Sequence, residues 1–117
     1  MEQKSVAAAT KGARSNTNLA GLEQALQKGQ LVLDVRTEPE WVKGRVPGVK
    51  HLPLADLSPT HPLLASHDRS EPVFLLCMSG GRSSVAADTL AAAGFQSVNV
   101  EGGTGAWMHA GKPLETN

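Results

Sequence analysis

The chain has 117 residues, with 11 lysines and arginines against 11 aspartates and glutamates, zero net charge with neutral histidines, and 40% hydrophobic residues. That balance excludes the basic face or tail of a nucleic-acid binder, and the length suits one domain with one core. A lone cysteine excludes a disulfide framework, and no apolar run approaches the ~18 residues of a membrane span, so a reducing, cytoplasmic setting is expected.

Residues 1–17 are small and polar without a period, which predicts a flexible lead-in with a short strand at "SVAA". Residues 18–117 are then one folded domain. Thr17 or Asn18 can cap a helix over "LAGLEQALQKG". Leu19, Leu22, Ala25 and Leu26 share a face at helical spacing, and Gly29 stops it. "LVLDV", Leu31 to Val35, is almost continuously apolar, the pattern of a central strand covered on both faces.

Thr37 as cap, Pro39 in the first turn and Gly44 as stop bound a second helix. Pro47 and Gly48 make a turn before a short strand around Val49–Leu52. Residues 53–72 hold four prolines and predict a surface loop with short helical turns. "VFLLC", Val73 to Cys77, is a second buried strand. "SSVAADTLAAAG" is an alanine-rich helix stopped by Gly94. Ser97–Val100 form another strand. "EGGTGAWMHAGKP" gives a glycine turn and a short last helix carrying Trp107. Buried strands alternating with helices predict an α/β domain, a parallel sheet with helices on both faces.

Ligands of such sheets gather outside the carboxyl ends of the strands. Cys77 falls there, with a helix expected from about Ser83. Between them the glycines of "MSGGR" allow a tight curl, which turns backbone N–H groups inward as an anion nest. A free thiol titrates at ~8.5, so only a few per cent is thiolate at neutral pH. A helix dipole contributes ~0.3–1 kcal/mol, up to ~2 in good geometry, which is under ~1.5 units of pKa at ~1.36 kcal/mol each. Several N–H groups and an arginine add more, and make the thiolate dominant. A cysteine ending a strand is otherwise an ordinary buried small side chain. The Gly-Gly-Arg-Ser that follows at once favours a reactive thiol instead.

Four residues, Met78 to Gly81, separate Cys77 from Arg82. Cysteine phosphatases with this kind of loop have one more. A residue adds at most ~3.6 Å of contour. The tighter ring suits one extra sulfur on the thiol better than a tetrahedral phosphate.

Together these segments resemble the rhodanese domain, the sulfurtransferase family, in its single-domain form. "LVLDVRTEPEW", "GRVPGVKHLPL", "CMSGGRS" and "VNVEGGTGAWMHAGKP" match its motifs in order, over about residues 19–114. The resemblance implies a three-layer fold around about five parallel strands. It also implies that Cys77 takes the outer sulfur of a small anionic donor such as thiosulfate and carries it as a persulfide. The amides of Met78, Ser79, Gly80, Gly81, Arg82 and Ser83 would cradle that sulfur, and Arg82 would attract the donor and hold the loop. The acceptor would be cyanide, an external thiol or a protein. No metal or organic cofactor is implied. Arg45 stands where the family usually has histidine, at an expected surface turn, with little effect on the chemistry.

Asp34 and Arg36, at the end of a strand near the site, are supporting residues: an ion pair or loop brace involving Glu40 or Arg82. Trp41 and Trp107 read as packing, with Trp41 able to wall the pocket. The histidines show no metal-ligand spacing. Lys112 and Glu115 read as solvated surface. Two other functions stay open on the sequence. One is a regulatory module that docks a partner, against which the retained Cys77, glycines and Arg82 argue. The other is a phosphatase or arsenate reductase, against which the loop length argues.

Overall fold

The computed structural model describes residues 12–116. Five parallel strands form one sheet in the order β1-β5-β4-β2-β3. They are β1 (Arg14–Thr17), β2 (Leu31–Asp34), β3 (Lys50–His51), β4 (Pro72–Leu76) and β5 (Gln96–Val100). The helices are α1 (Leu19–Gln27), α2 (Glu38–Lys43), α3 (Pro62–Ala65), α4 (Gly81–Ala92) and α5 (Gly103–His109), with a 3₁₀ turn at Leu54–Asp56. The α/β architecture predicted from the sequence is the one observed.

Alternation along the central strands builds two cores. Leu33 of β2 with Val73 and Leu75 of β4 face Ala86, Ala87 and Leu90 of α4. Val32, Phe74 and Leu76 face the other way, toward Leu22 and Ala25 of α1 and Trp107 of α5. Both faces of β2 and β4 are therefore covered, which is why their sequences are almost continuously apolar.

Arg14–Thr17, which the sequence assigns to the lead-in, form an edge strand instead. Arg14 to Thr17 pair in register with Ser97 to Val100. "RSNT" is polar because an edge strand needs no apolar run, so tertiary pairing decides its state. The strand predicted at "SVAA" lies outside the described residues. Asn18 is the α1 cap, its Oδ1 accepting from the Gly21 N–H at 3.2 Å. The helix predicted from Ser83 starts two residues earlier, at Gly81, because Gly80 with φ +113° already caps it. An L side chain would be strained at that angle.

Glu115 is exposed, as the sequence predicts, whereas Lys112 is half-buried. Arg45 and Glu115 exchange both backbone hydrogen bonds at 2.9 Å, and Lys112 pairs with Glu23. Arg45 is accordingly half-buried rather than at an open turn, its guanidinium 4.9 Å from the centre of the Trp41 ring. Among the described residues, no helix is long and apolar enough to cross a membrane.

Candidate active site at the end of β4

Cys77 follows β4 directly and is 1% exposed. The chain then curls through Met78, Ser79 and Gly80 into α4. Of the amides expected to converge on the sulfur, those of Gly80 and Ser83 reach Sγ in hydrogen-bond geometry, at 3.1 and 3.4 Å. The Ser83 hydroxyl lies 3.3 Å from Sγ. Burial pushes the thiol up. The Ser83 hydroxyl and the N–H groups of Ser83, Gly80 and Ser79 outweigh burial, and the net effect holds Cys77 below its ordinary value.

The carbonyls of the same loop are taken from behind. The Thr104 N–H donates to the Cys77 carbonyl at 2.8 Å, Gly105 to Met78 at 2.8 Å, and Gly102 to Ser79 at 3.3 Å. This contact needs glycine at 103. A Cβ there would sit 2.2 Å from the Cys77 carbonyl oxygen, on a backbone with φ +54°. The motif "EGGTG" therefore forms the floor of the loop, a role its sequence does not announce.

Arg82 does not hang free over the sulfur. Its Nη1 and Nη2 donate to Glu40 Oε1 and Oε2 at 2.8 and 3.0 Å. Glu40 Oε1 also accepts from the Thr37 N–H at 3.0 Å and the Thr37 hydroxyl at 2.9 Å, closing the first turn of α2. The Arg82 bond, opposed by burial and helped by Thr37, lowers Glu40 to about 2. Arg82 is correspondingly raised, chiefly by Glu40.

Asp34 and Arg36 are both buried, and they bind each other. Arg36 Nη2 lies 2.8 Å from Asp34 Oδ2, Nε is 3.0 Å from both carboxylate oxygens, and Nη2 also donates to the Gly44 carbonyl at 2.8 Å. This is a brace between β2 and the end of α2. Neither Glu40 nor Arg82, each a candidate third member of this brace on the sequence, joins it by a hydrogen bond; they bind each other. Trp41 stacks on His51 with centroids 4.6 Å apart. Trp107 is buried, its Nε1 donating to the Pro113 carbonyl at 2.7 Å.

A cavity of about 200 Å³ opens beside the loop, lined by Arg36, Glu40, Lys43, Met78, Met108 and Leu114. A larger one of about 660 Å³ lies among Lys28, Leu31, Lys50 and Pro72, at the amino ends of β2 and β4. It is at the wrong end of the sheet for Cys77.

One residue at the site escapes sequence inspection. Asn99 is 4% exposed in β5, and its Oδ1 accepts from the Ser83 hydroxyl at 2.6 Å. A polar residue inside the short buried strand "SVNV" is the signal that could have found it.

A family model described as the rhodanese-like domain matches residues 18–110. The chain is 38% identical over 77 residues to YrkF of Bacillus subtilis (strain 168), provisionally named a sulfur carrier protein; the match covers 65% of this chain and 40% of YrkF. It is 32% identical over 99 residues to the thiosulfate sulfurtransferase GlpE of Pseudomonas putida, covering 80% of this chain and 86% of GlpE. The crystal structure of a rhodanese-related protein from Thermoplasma volcanium superposes with a TM-score of 0.72 at 28% identity, over 90% of this chain and all of that one.

Proposed function

The chain belongs to the rhodanese-like domain family, whose relatives include named sulfurtransferases, and from that premise we propose that it moves a sulfane sulfur through Cys77. The observation that carries this is the set of donors on Sγ: two backbone N–H groups and a hydroxyl, on a sulfur held below its ordinary pKa. Donors of this kind favour an anion on that sulfur.

The Cys77 thiolate attacks the outer sulfur of an anionic donor of the thiosulfate type. A new S–S bond forms on Cys77. The donor's own S–S bond breaks, and its electron pair leaves on the sulfite. The persulfide anion then lies toward the loop amides from Met78 to Ser83. An acceptor thiolate, or cyanide, attacks the terminal sulfur. The bond to Sγ breaks, and its pair regenerates the Cys77 thiolate. No net oxidant or reductant is consumed.

Arg82 enters this reading bound to Glu40, so its charge is largely balanced at rest. Its role is then to fix the loop against α2 more than to draw the donor in. The short spacing from Cys77 to Arg82 supports sulfur over phosphate as the group carried.

Incubation with thiosulfate should add about 32 Da, one sulfur atom, to the intact protein. The adduct should be absent in Cys77→Ser and should disappear on adding cyanide or a thiol. Failure to form it with thiosulfate, a mercapto acid or polysulfide would overturn the proposal.

A further inference from the structure

The Ser83 hydroxyl has one proton and two acceptors. Sγ of Cys77 is 3.3 Å away and Oδ1 of Asn99 is 2.6 Å away. The shorter distance lies in the range of an O–H···O bond and below that of N–H···O, so an oxygen of Asn99 faces the hydroxyl. A hydroxyl donates once and accepts twice. When its proton points to Asn99, its lone pairs face the sulfur and can accept only from a protonated thiol. When the proton turns to the sulfur, Asn99 Oδ1 is left without that hydrogen bond, in a buried place.

We propose that Asn99 is a positioning residue for Cys77, holding the Ser83 hydroxyl proton when the sulfur is a neutral thiol and yielding it when the sulfur becomes a thiolate. The inference rests on Cys77 being the nucleophile proposed above. On ionisation the Cys77 proton leaves to solvent, and the hydroxyl rotates from Asn99 to sulfur. No bond other than S–H breaks. Asn99 thereby opposes the thiolate: part of the stabilisation from Ser83 is offset by the acceptor left behind. In the persulfide the negative charge moves to the outer sulfur and Sγ becomes a weak acceptor. The proton returns to Asn99, and the offset is removed. The Asn99 acceptor thus favours the loaded state over the free thiolate.

The charged groups around the sulfur do not duplicate this role. Arg82, in the first turn of α4, is bound to Glu40 of α2. Asp34 and Arg36, at the end of β2, bind each other. Glu101, just past β5, is exposed. The first turn of α5 brings Gly103, Thr104 and Gly105, none of which titrates. Asn99, which does not titrate, is the second acceptor within reach of the Ser83 hydroxyl.

The test is the rate of Cys77 alkylation by iodoacetamide across pH in the intact chain, without any sulfur donor. Wild type, Asn99→Leu, Ser83→Ala and the double variant are compared, with far-UV circular dichroism as a check on folding. In Asn99→Leu the freed hydroxyl should serve the thiolate alone. The midpoint should fall, and alkylation below it should quicken roughly fivefold, the worth of the neutral Ser83–Asn99 hydrogen bond that no longer favours the thiol. In Ser83→Ala the midpoint should rise, and adding Asn99→Leu to that background should change nothing. An unchanged or raised midpoint in Asn99→Leu, or the same fall without Ser83, would overturn the proposal.

If Asn99→Leu does not fold, the wild type still decides. The side-chain carbonyl resonance of Asn99 should move through the Cys77 midpoint in NMR, and should stay still in Ser83→Ala. A resonance indifferent to the thiol would sink the idea. These measurements read the thiol alone, so their failure leaves sulfur transfer standing. A missing persulfide with an intact proton switch would overturn only the function.

Discussion

Glu40 and Arg82 lie 42 residues apart in sequence and meet through two parallel hydrogen bonds of 2.8 and 3.0 Å. One carboxylate therefore closes the first turn of α2 and pins the first turn of α4, the helix that delivers Ser83 to the sulfur.

Glu40→Gln separates these two tasks. Glutamine still accepts from Thr37 but loses the ion pair with Arg82. The folded carboxyl is lowered from 4.5 to about 2, with Arg82 as the largest cause. A depressed carboxyl contributes stability above its unfolded pKa and loses it as the pH falls through the folded value. The pair is partly exposed, so screening reduces its worth to about 1 kcal/mol at neutral pH. Glu40→Gln should melt about 4 °C lower than wild type at pH 7. The gap should narrow as the pH falls from about 4.5 toward 2. A gap constant over that range would exclude the pair as its source.

Arg36→Met tests the opposite kind of ion pair. Side-chain exposures of 2% for Arg36 and 0% for Asp34 leave no water to replace the missing partner. Removing one member strands a buried charge, at a cost of about 3–5 kcal/mol. Lys112→Met, which breaks a partly exposed pair with Glu23, should cost no more than about 1 kcal/mol. Urea unfolding of the two variants gives the comparison, and equal losses would contradict the burial argument.

Gly103→Ala should damage the loop through its floor. The added Cβ would meet the Cys77 and Met78 carbonyl oxygens at 2.2 and 2.7 Å. Backbone must move, at about 2 kcal/mol or more. A melting temperature lowered by on the order of 10 °C, with slower Cys77 alkylation at neutral pH, is expected. Wild-type alkylation in a destabilised Gly103→Ala would separate the floor from the acidity of the thiol.

Thr104→Val should be neutral or slightly stabilising. Among the described residues the Thr104 hydroxyl is buried with no hydrogen-bond partner, so an apolar group of the same shape removes an unmet polar atom. Its N–H bond to the Cys77 carbonyl does not depend on the side chain. A loss above about 1 kcal/mol by thermal melting would reveal an unrecognised partner for that hydroxyl.

The parts legible in the sequence are those fixed by local chemistry. Apolar runs give β2 and β4 because both faces of these strands are covered. Cys77, Gly80, Gly81 and Arg82 fall within six residues, so the loop declares itself. What depends on distant segments does not. β1 reads as lead-in because Arg14–Thr17 become a strand only by pairing with β5. The partners of Arg82 and Ser83, Glu40 and Asn99, come from other elements, and no periodicity links them. The start of α4 at Gly81 is missed because glycine is a poor helix former, whereas in this chain it follows a left-handed cap.

Beneath Cys77, three loop carbonyls are tied to N–H groups of Gly102, Thr104 and Gly105, so the peptide units cannot swing around when charge arrives at or departs from the sulfur. The local field is frozen in at folding. On the proposed function, each cycle of ionisation, loading and release would proceed in surroundings already oriented for an anion, with the proton of the Ser83 hydroxyl as the part that responds.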